Sequence, residues 1–174
     1  FNNVYFGYDK NNSIIKDFSA DIKAGQKVAI VGPTGAGKTT LVNLLMRFYD
    51  VDSGSITIDG IDINNMKRSD VRSLFGMVLQ DTWLFSGTLR ENIAYSNPDA
   101  CAVEVYEAAS LACAEHFILS SGDGYEMMIN EEASNISSGQ KQLLTIARTI
   151  LANNPMLILD EATSNVDTRT EILI

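Results

Sequence analysis

The sequence predicts an α/β fold, with an antiparallel β-subdomain ahead of the core and an α-helical subdomain inserted into it. Three observations carry this. A β-branched apolar run, Lys27-Val28-Ala29-Ile30-Val31, leads through a glycine loop into a breaker-free helical stretch, Thr40 to Phe48. A second apolar run, Met156-Leu157-Ile158-Leu159, ends abruptly in Asp160-Glu161. Between them, from Ser86 to Asn153, the pattern turns helical. On this division residues 1–85 and 155–174 make the core with its β-subdomain, and residues 86–154 the helical subdomain.

The elements follow in order. Asn2 to Tyr8 alternates with Val4, Phe6 and Tyr8 on one face, as a half-exposed strand does. A turn at Asp9-Lys10-Asn11-Asn12 leads to a second alternating run, Ser13 to Ile22, with Ile14, Lys16 and Phe18 on one side. Ala24-Gly25-Gln26 turns into Lys27–Val31, which reads as a buried parallel strand. After the first helix, Ser55 to Ile58 is a strand ending in the Asp59-Gly60 turn. Ser69 to Leu74 is a short helical turn, and Phe75 to Leu79 a second buried strand. Thr88 with Glu91 three residues on predicts a capping box. Ala102 to Leu119 reads as an alanine-rich helix, broken at Ser120–Gly124. Gly139 to Ala152 carries one apolar stripe, stopped by Asn153-Asn154-Pro155. Met156–Leu159 is a third buried strand, and Thr168 with Glu171 predicts a last capping box.

Bulk properties narrow the function. The 174 residues, 45% apolar and 20% charged, suffice for one domain with a sizeable core. The formal net charge of −9, from 22 acidic and 13 basic residues, argues against nucleic acid as a partner, since phosphate backbones call for a basic surface. Cys101 and Cys113 lack C-x-x-C spacing and read as two small buried hydrophobes of a reducing compartment. No apolar run approaches the ~18 residues of a membrane span, and no signal-peptide pattern is present. The first residue is Phe1 rather than Met, so the sequence reads as part of something longer.

The chemistry sits in Gly32-Pro33-Thr34-Gly35-Ala36-Gly37-Lys38-Thr39, which has the form G-x-x-x-x-G-K-T of a phosphate-binding loop. Its glycines let backbone N–H groups converge on one centre, and the helix that follows adds partial positive charge there. Lys38 would reach the β- and γ-phosphates of a nucleotide, and the Thr39 hydroxyl would ligate Mg²⁺. Asp160 and Glu161 stand at the C-terminal tip of a core strand, where open α/β sheets bind ligands. Asp160 can hold Mg²⁺ directly or through water, and Glu161 can polarise a water toward the γ-phosphate. Asn135-Ile136-Ser137-Ser138-Gly139-Gln140 opens the striped helix; on spacing alone it is a plain N-cap beside a glycine, with a second anion site the alternative.

Together these motifs resemble the nucleotide-binding domain of ATP-binding-cassette (ABC) transporters, over nearly the whole chain. Gly32 to Thr39 matches Walker A, Met156 to Glu161 matches Walker B with its glutamate, and Ile136-Ser137-Ser138-Gly139-Gln140 resembles the signature L-S-G-G-Q, with Ser138 in place of a glycine. Gln80 stands where the Q-loop glutamine would, and Ser164-Asn165-Val166-Asp167 resembles the D-loop. The resemblance implies a P-loop NTPase core that binds ATP with Mg²⁺. Tyr8 would stack on adenine beside Ile15, and Gly32 to Thr40 would hold the phosphates. Thr39, Gln80 and Asp160 would hold the metal, with Glu161 and Gln80 catalytic. Ser137, Ser138, Gly139 and Gln140 would act on the ATP of a second, head-to-tail nucleotide-binding domain. The resemblance extends to exporters of lipids, drugs or peptides through Gln80–Phe85 and Thr88–Ile93, with Asn130-Glu131-Glu132 where such exporters touch their membrane domain. It implies a transmembrane domain on the same or a partner chain, and a place on the cytoplasmic face of the plasma membrane.

Two rival classes share some of these features. Chromosome and repair ATPases share the motifs but insert long coiled coils; here roughly 100 residues separate Walker A from the signature and no heptad run appears. A non-hydrolysing regulatory cassette commonly lacks the glutamate that Glu161 supplies. The family's switch histidine would follow the D-loop on a further strand, beyond Ile174. His116, in the helical region, reads as a surface or half-buried residue. Without that strand, the run Met156 to Leu159 is expected to leave an apolar edge uncovered.

Overall fold

The alternating residues at the start of the chain form β1 (Asn2–Phe6), with Val4 and Phe6 buried. In the computed structural model residues 1–9, 12–79, 82–160, 165, 166 and 170 are described, and the chain falls into two units, Phe1–Leu74 and Phe75–Ile174. In the first, β1 lies between β2 (Ile15–Phe18) and β3 (Ser53–Ser55), antiparallel to both. The turn before β2 closes as Asn12 N–H donates to the Asp9 carbonyl at 2.9 Å. Lys10 and Asn11 lie outside the described residues.

The inward residue of β2 is Ile15, not the expected Ile14, Lys16 and Phe18 face; Ile14 and Phe18 are half-buried and Lys16 is exposed. The register slips between Val4 and Phe6, so that Ile15 and Phe18, three apart, stand opposite residues of β1 that are two apart. Asn3 (φ 45°) and Asp17 (φ 52°) take left-handed backbone, and Asn3 Nδ2 donates to Asp17 Oδ1 at 2.8 Å. A one-residue irregularity turns every following side chain to the other face.

The first helix, α1 (Lys38–Leu45), buries Thr40, Leu41 and Leu44. It stops short of Phe48 in a two-bond terminus. Arg47 N–H donates to Leu44 O at 3.0 Å and Phe48 N–H to Asn43 O at 2.9 Å, with Arg47 left-handed at φ 52°. The hairpin of β4 (Thr57–Ile58) and β5 (Ile61–Asp62) turns at Asp59 and Gly60, whose φ values of 49° and 79° suit a two-residue primed turn. A short helix, α2 (Arg68–Ser73), closes this unit.

The expected core strand at 27–31 is not formed. The segment has no strand assignment, and Val28, Ile30 and Val31 are 55%, 49% and 86% exposed. A parallel strand is buried by paired edges and by cover on both faces. Within its own unit the described residues supply neither.

The second unit runs β6 (Phe75–Val78), β7 (Gly87–Thr88), α3 (Leu89–Ala94), α4 (Ala102–Leu111), α5 (Glu115–Ser120), β8 (Met128–Ile129), α6 (Ser138–Ala152) and β9 (Met156–Leu159). Strands β6 and β9 pair in parallel, Phe75 with Met156 through Val78 with Leu159; β7 and β8 pair antiparallel. The core gathers Leu89 and Ile93 of α3, Val105 and Ala109 of α4, Ile118 of α5, and Leu144 and Ala147 of α6. Among the described residues β9 pairs on one edge only, and Leu157 and Leu159 are more than half exposed, so this run is less buried than its composition predicts.

The alanine-rich stretch is two helices, not one. Cys113 N–H donates to Ser110 O and Ala114 N–H to Ala109 O, with Cys113 left-handed at φ 56°. This is the same two-bond terminus as at Arg47, and it turns α5 so that Ile118 faces inward. The cysteines also depart from expectation: Cys113 is half-buried at that turn, and Cys101 is exposed because it stands at the N-cap of α4. His116 lies exposed on α5. Among the described residues no helix is long and apolar enough to cross a membrane. The expected capping box at Thr168 and Glu171 lies outside the described residues.

The box at α3 is complete. Glu91 N–H donates to Thr88 Oγ1 at 3.0 Å, and Thr88 N–H donates to Glu91 Oε2 at 2.7 Å. Those Thr88 bonds hold the Glu91 carboxyl below its ordinary range, backbone contribution first. A lowered folded pKa stabilises above the unfolded value and is lost as pH falls through the folded one. Thr88→Ala should therefore lower stability by about 0.5–2 kcal/mol in urea unfolding. The advantage of wild type over Glu91→Gln, read by the same unfolding curves, should be present at neutral pH and vanish below the ordinary glutamate range.

Candidate functional site

Helix α1 begins without a side-chain cap. Its N-cap is Gly37, left-handed at φ 89°, with no side chain to offer. Leu41 N–H, bonded to Gly37 O at 2.9 Å, is the first to find an acceptor within the helix. The N–H groups of Lys38, Thr39 and Thr40 therefore point out of its N-terminus, where the helix dipole is positive. The loop before them turns as Ala36 N–H donates to Pro33 O at 3.1 Å, with Gly35 at φ 84° and open space where its Cβ would be. Gly37 is held to glycine twice over: by its φ, and because a Cβ would meet Ile15 Cδ1 at 2.8 Å.

The Lys38 side chain folds back over this loop. Its Nζ donates to the carbonyls of Gly32 at 2.8 Å and Pro33 at 3.2 Å. Neutral carbonyls are weaker acceptors for an ammonium than phosphate oxygens, so the cation is poised beside the open donors without an anionic protein partner at these two bonds. The Thr39 side chain is exposed, whereas Thr40 is buried and can offer only its backbone N–H. An oxygen-rich anion fits this donor set, and the exposed Thr39 hydroxyl suits a hard cation such as Mg²⁺.

Two apolar features flank the loop. Tyr8 is 51% exposed; its ring is held edge-on by Phe6 at 5.1 Å and Tyr49 at 5.0 Å, and its hydroxyl accepts from Asn43 Nδ2 at 3.1 Å. That leaves a braced aromatic surface of the kind that stacks on a base. Ile15 is buried beneath Gly37, where it supports the loop. A cavity of about 260 Å³ is lined by Ile14, Ile15, Lys16, Phe18, Ile30, Val31, Ala36, Lys38 and Leu41.

In the second unit Asp160 follows β9 directly, half-buried, with its N–H donating to Val78 O at 2.9 Å. Gln80, Glu161, Ser164 and Asp167 lie outside the described residues. Ser137 is the N-cap of α6: its Oγ accepts from Gln140 N–H at 3.2 Å, and its own N–H donates to Gln140 Oε1 at 2.8 Å. The signature-like residues are thus a capping box in the first place. Ser137 and Ser138 are exposed on it. The Asn130-Glu131-Glu132 loop is exposed too, and Asn130 bonds Ser134 through both its amide oxygen and its amide nitrogen at 2.8 Å.

Sequence reading missed a polar knot. Asn92 on α3 is fully buried; its Nδ2 donates to Phe85 O and Thr88 O, and its Oδ1 accepts from Phe85 N–H at 3.1 Å and Arg148 Nη2 at 3.3 Å. Arg148 Nε donates to Asn92 O, and Nη1 to Trp83 O. Burial draws the Arg148 guanidinium below its usual range, against a smaller opposite effect of Tyr95. Its Cζ lies 5.0 Å from the Tyr95 ring centre and 6.0 Å from that of Trp83, and Trp83, Phe85 and Tyr95 contact one another. The only hint in the sequence was a polar residue at an inward position of each helix.

The comparisons with known proteins agree with the motifs. The ABC transporter family matches residues 15–164. Over all 174 residues the chain is 55% identical to a fatty acid ABC transporter ATP-binding/permease protein of Mycobacterium bovis, covering 28% of it. It is 48% identical, over its whole length, to a β-(1→2)glucan export ATP-binding/permease protein of Bartonella bacilliformis, covering 29% of it. The whole chain superposes on 30% of a solved bacterial Atm1-family ABC exporter with ATP bound, at TM-score 0.95 and 45% identity. The chain spans under a third of the length of these relatives. With its phosphate loop, its Walker B-like strand and a match over most of its length, this chain belongs to the ABC transporter family and has the P-loop NTPase fold of an exporter's nucleotide-binding domain.

Proposed function

We propose that the chain binds and hydrolyses ATP to drive an exporter, moving a lipid, drug or peptide across a membrane. The observation that carries this is the uncapped start of α1, with three backbone N–H groups and the Lys38 ammonium converging on one anion position. Gly32 to Thr40 hold the phosphates, and Tyr8 stacks on the base. Thr39, Asp160 and Gln80 are proposed Mg²⁺ ligands; the ion would neutralise phosphate oxygens and orient them. Water adds to the γ-phosphorus as the bond to the β-phosphate oxygen breaks. Glu161 draws the water's proton, while Lys38 and the loop N–H groups stabilise the charge that develops.

Ser137, Ser138, Gly139 and Gln140 act on the nucleotide of a second such domain, arranged head to tail. A γ-phosphate between two positive helix ends holds such a pair, and its loss releases them. The exposed loop Asn130-Glu131-Glu132 is the surface proposed for the transmembrane domain, on the cytoplasmic face of the plasma membrane. The two relatives are named for different cargoes, fatty acid and β-(1→2)glucan, so the cargo is chosen by the membrane domain.

Lys38→Ala removes a charge-assisted bond of about 1.5–3 kcal/mol and should weaken ATP binding roughly ten- to a hundredfold in calorimetry. Unchanged affinity would remove the phosphate-loop assignment. Tyr8→Ala should weaken binding less, and unequally for ATP and GTP. In the protein carrying this chain, Glu161→Gln should keep ATP affinity, stop phosphate release and accumulate an ATP-bound dimer on a sizing column. Turnover at the wild-type rate would show that Glu161 is not the catalytic carboxylate, and a wild type that binds ATP without releasing phosphate would favour a regulatory cassette.

A further inference from the structure

Asn43 stands in the middle of α1, between Val42 and Leu44, where a short amide side chain is a poor helix former because it competes for backbone hydrogen bonds. Its Nδ2 donates to the Tyr8 hydroxyl at 3.1 Å, 35 residues back along the chain. The Asn43 carbonyl accepts from Phe48 N–H at 2.9 Å, in the turn that delivers Tyr49. Tyr49 in turn meets the Tyr8 ring at 5.0 Å and 81°. The end of one helix therefore holds Tyr8 twice, by a hydrogen bond and by a ring contact. Phe6, on β1, adds a third contact at 5.1 Å and 85°.

These contacts divide the two torsions of the Tyr8 side chain between them. The phenol oxygen lies on the axis about which the ring spins. A hydrogen bond at that oxygen fixes the direction of the axis, which is set by χ1, and leaves the spin free. The nearly perpendicular rings of Phe6 and Tyr49 restrict the spin. Tyr8 needs both restraints because it is half exposed and lies beyond the end of β1 at Phe6. A ring left free to change rotamer would have to be ordered when a base stacked on it, at a cost to affinity.

The same bond sets where the ring stands relative to the phosphate loop. Asn43 and Lys38 are on one helix, about 7.5 Å apart along its axis, and the open N–H groups belong to the first turn of that helix. We infer that Asn43 is a positioning residue for the nucleotide base: through the Tyr8 hydroxyl it fixes the stacking ring at a set distance from the phosphate donors of its own helix. This rests on the reading above in which Tyr8 stacks on the base of ATP, and adds to it the residue that orders the ring beforehand.

The test uses the protein carrying this chain, with Asn43→Leu, which removes the donor at similar volume, Tyr8→Phe, which keeps the ring and removes the acceptor, and the two together. Calorimetry compares ATP with tripolyphosphate, which has the phosphates and no base, both in Mg²⁺. Each single variant should bind ATP about threefold to tenfold more weakly, and the double variant no more weakly than either. Asn43→Leu should bind tripolyphosphate within about twofold of wild type. A fluorotyrosine in place of Tyr8, followed by NMR without nucleotide, should shift toward the signal of the free amino acid when Asn43→Leu is introduced. Additive losses in the double variant, a parallel loss of tripolyphosphate binding in Asn43→Leu, wild-type ATP affinity in either single variant, or an unmoved fluorine signal would each overturn the inference. A wild type that binds ATP no more tightly than tripolyphosphate would instead remove Tyr8 from base stacking, and with it the role of Asn43 in binding, while the fluorine signal would still decide whether Asn43 orders the ring.

Discussion

The uncapped N-terminus of α1 is the constraint on which the candidate site depends. Among the described residues, helices α3, α4 and α6 begin with reciprocal boxes, Thr88 with Glu91, Cys101 with Glu104 and Ser137 with Gln140, which satisfy their own first N–H groups. Helix α1 begins on Gly37, which has nothing to give. Three donors are left facing outward at the positive end of the dipole, and Lys38 adds a full charge beside them. The surrounding sequence serves that arrangement. Ile15 supports the loop from below, Leu41 and Leu44 seat the helix, and Tyr8 is braced nearby by Phe6, Tyr49 and Asn43.

The second unit meets a different demand, which is to hold carboxylate-bearing and signature-bearing segments on one scaffold. Strand β9 is registered against β6 residue by residue up to Asp160. Helix α6 is registered against α3 by Arg148 and Asn92, whose hydrogen bonds are directional and so admit one rotation of the helix where an apolar stripe alone admits several. Fixing α6 in rotation also fixes where Ser137 and Gly139 point.

Much of this was legible in the sequence because the relevant residues act locally. G-x-x-x-x-G-K-T specifies its own turn, Thr88 and Glu91 specify a helix start, and Asp59-Gly60 specifies a hairpin. Where the chain departed from expectation, a non-local or atypical cause can be named. Arg47 and Cys113 occupy left-handed helix termini that glycine usually marks, so neither the end of α1 nor the break before α5 was visible. Asn3 and Asp17 hold left-handed backbone across two strands, joined by a side-chain hydrogen bond, and this breaks the alternation of β2 between Ile15 and Phe18. The run 27–31 has the composition of a core strand, yet burial depends on neighbours that composition does not specify. Asn92 and Arg148 became meaningful only once helices distant in sequence were adjacent.

The proposed function depends on recognition of phosphate through an open helix end and one lysine. It is tested most directly by calorimetric titration of the protein with adenosine, AMP, ADP and ATP in Mg²⁺, at two salt concentrations. Affinity should rise with phosphate number, ADP and ATP should bind at least about a hundredfold more tightly than adenosine, and salt should weaken the charged ligands most. Adenosine binding as tightly as ATP, with no dependence on salt, would contradict it.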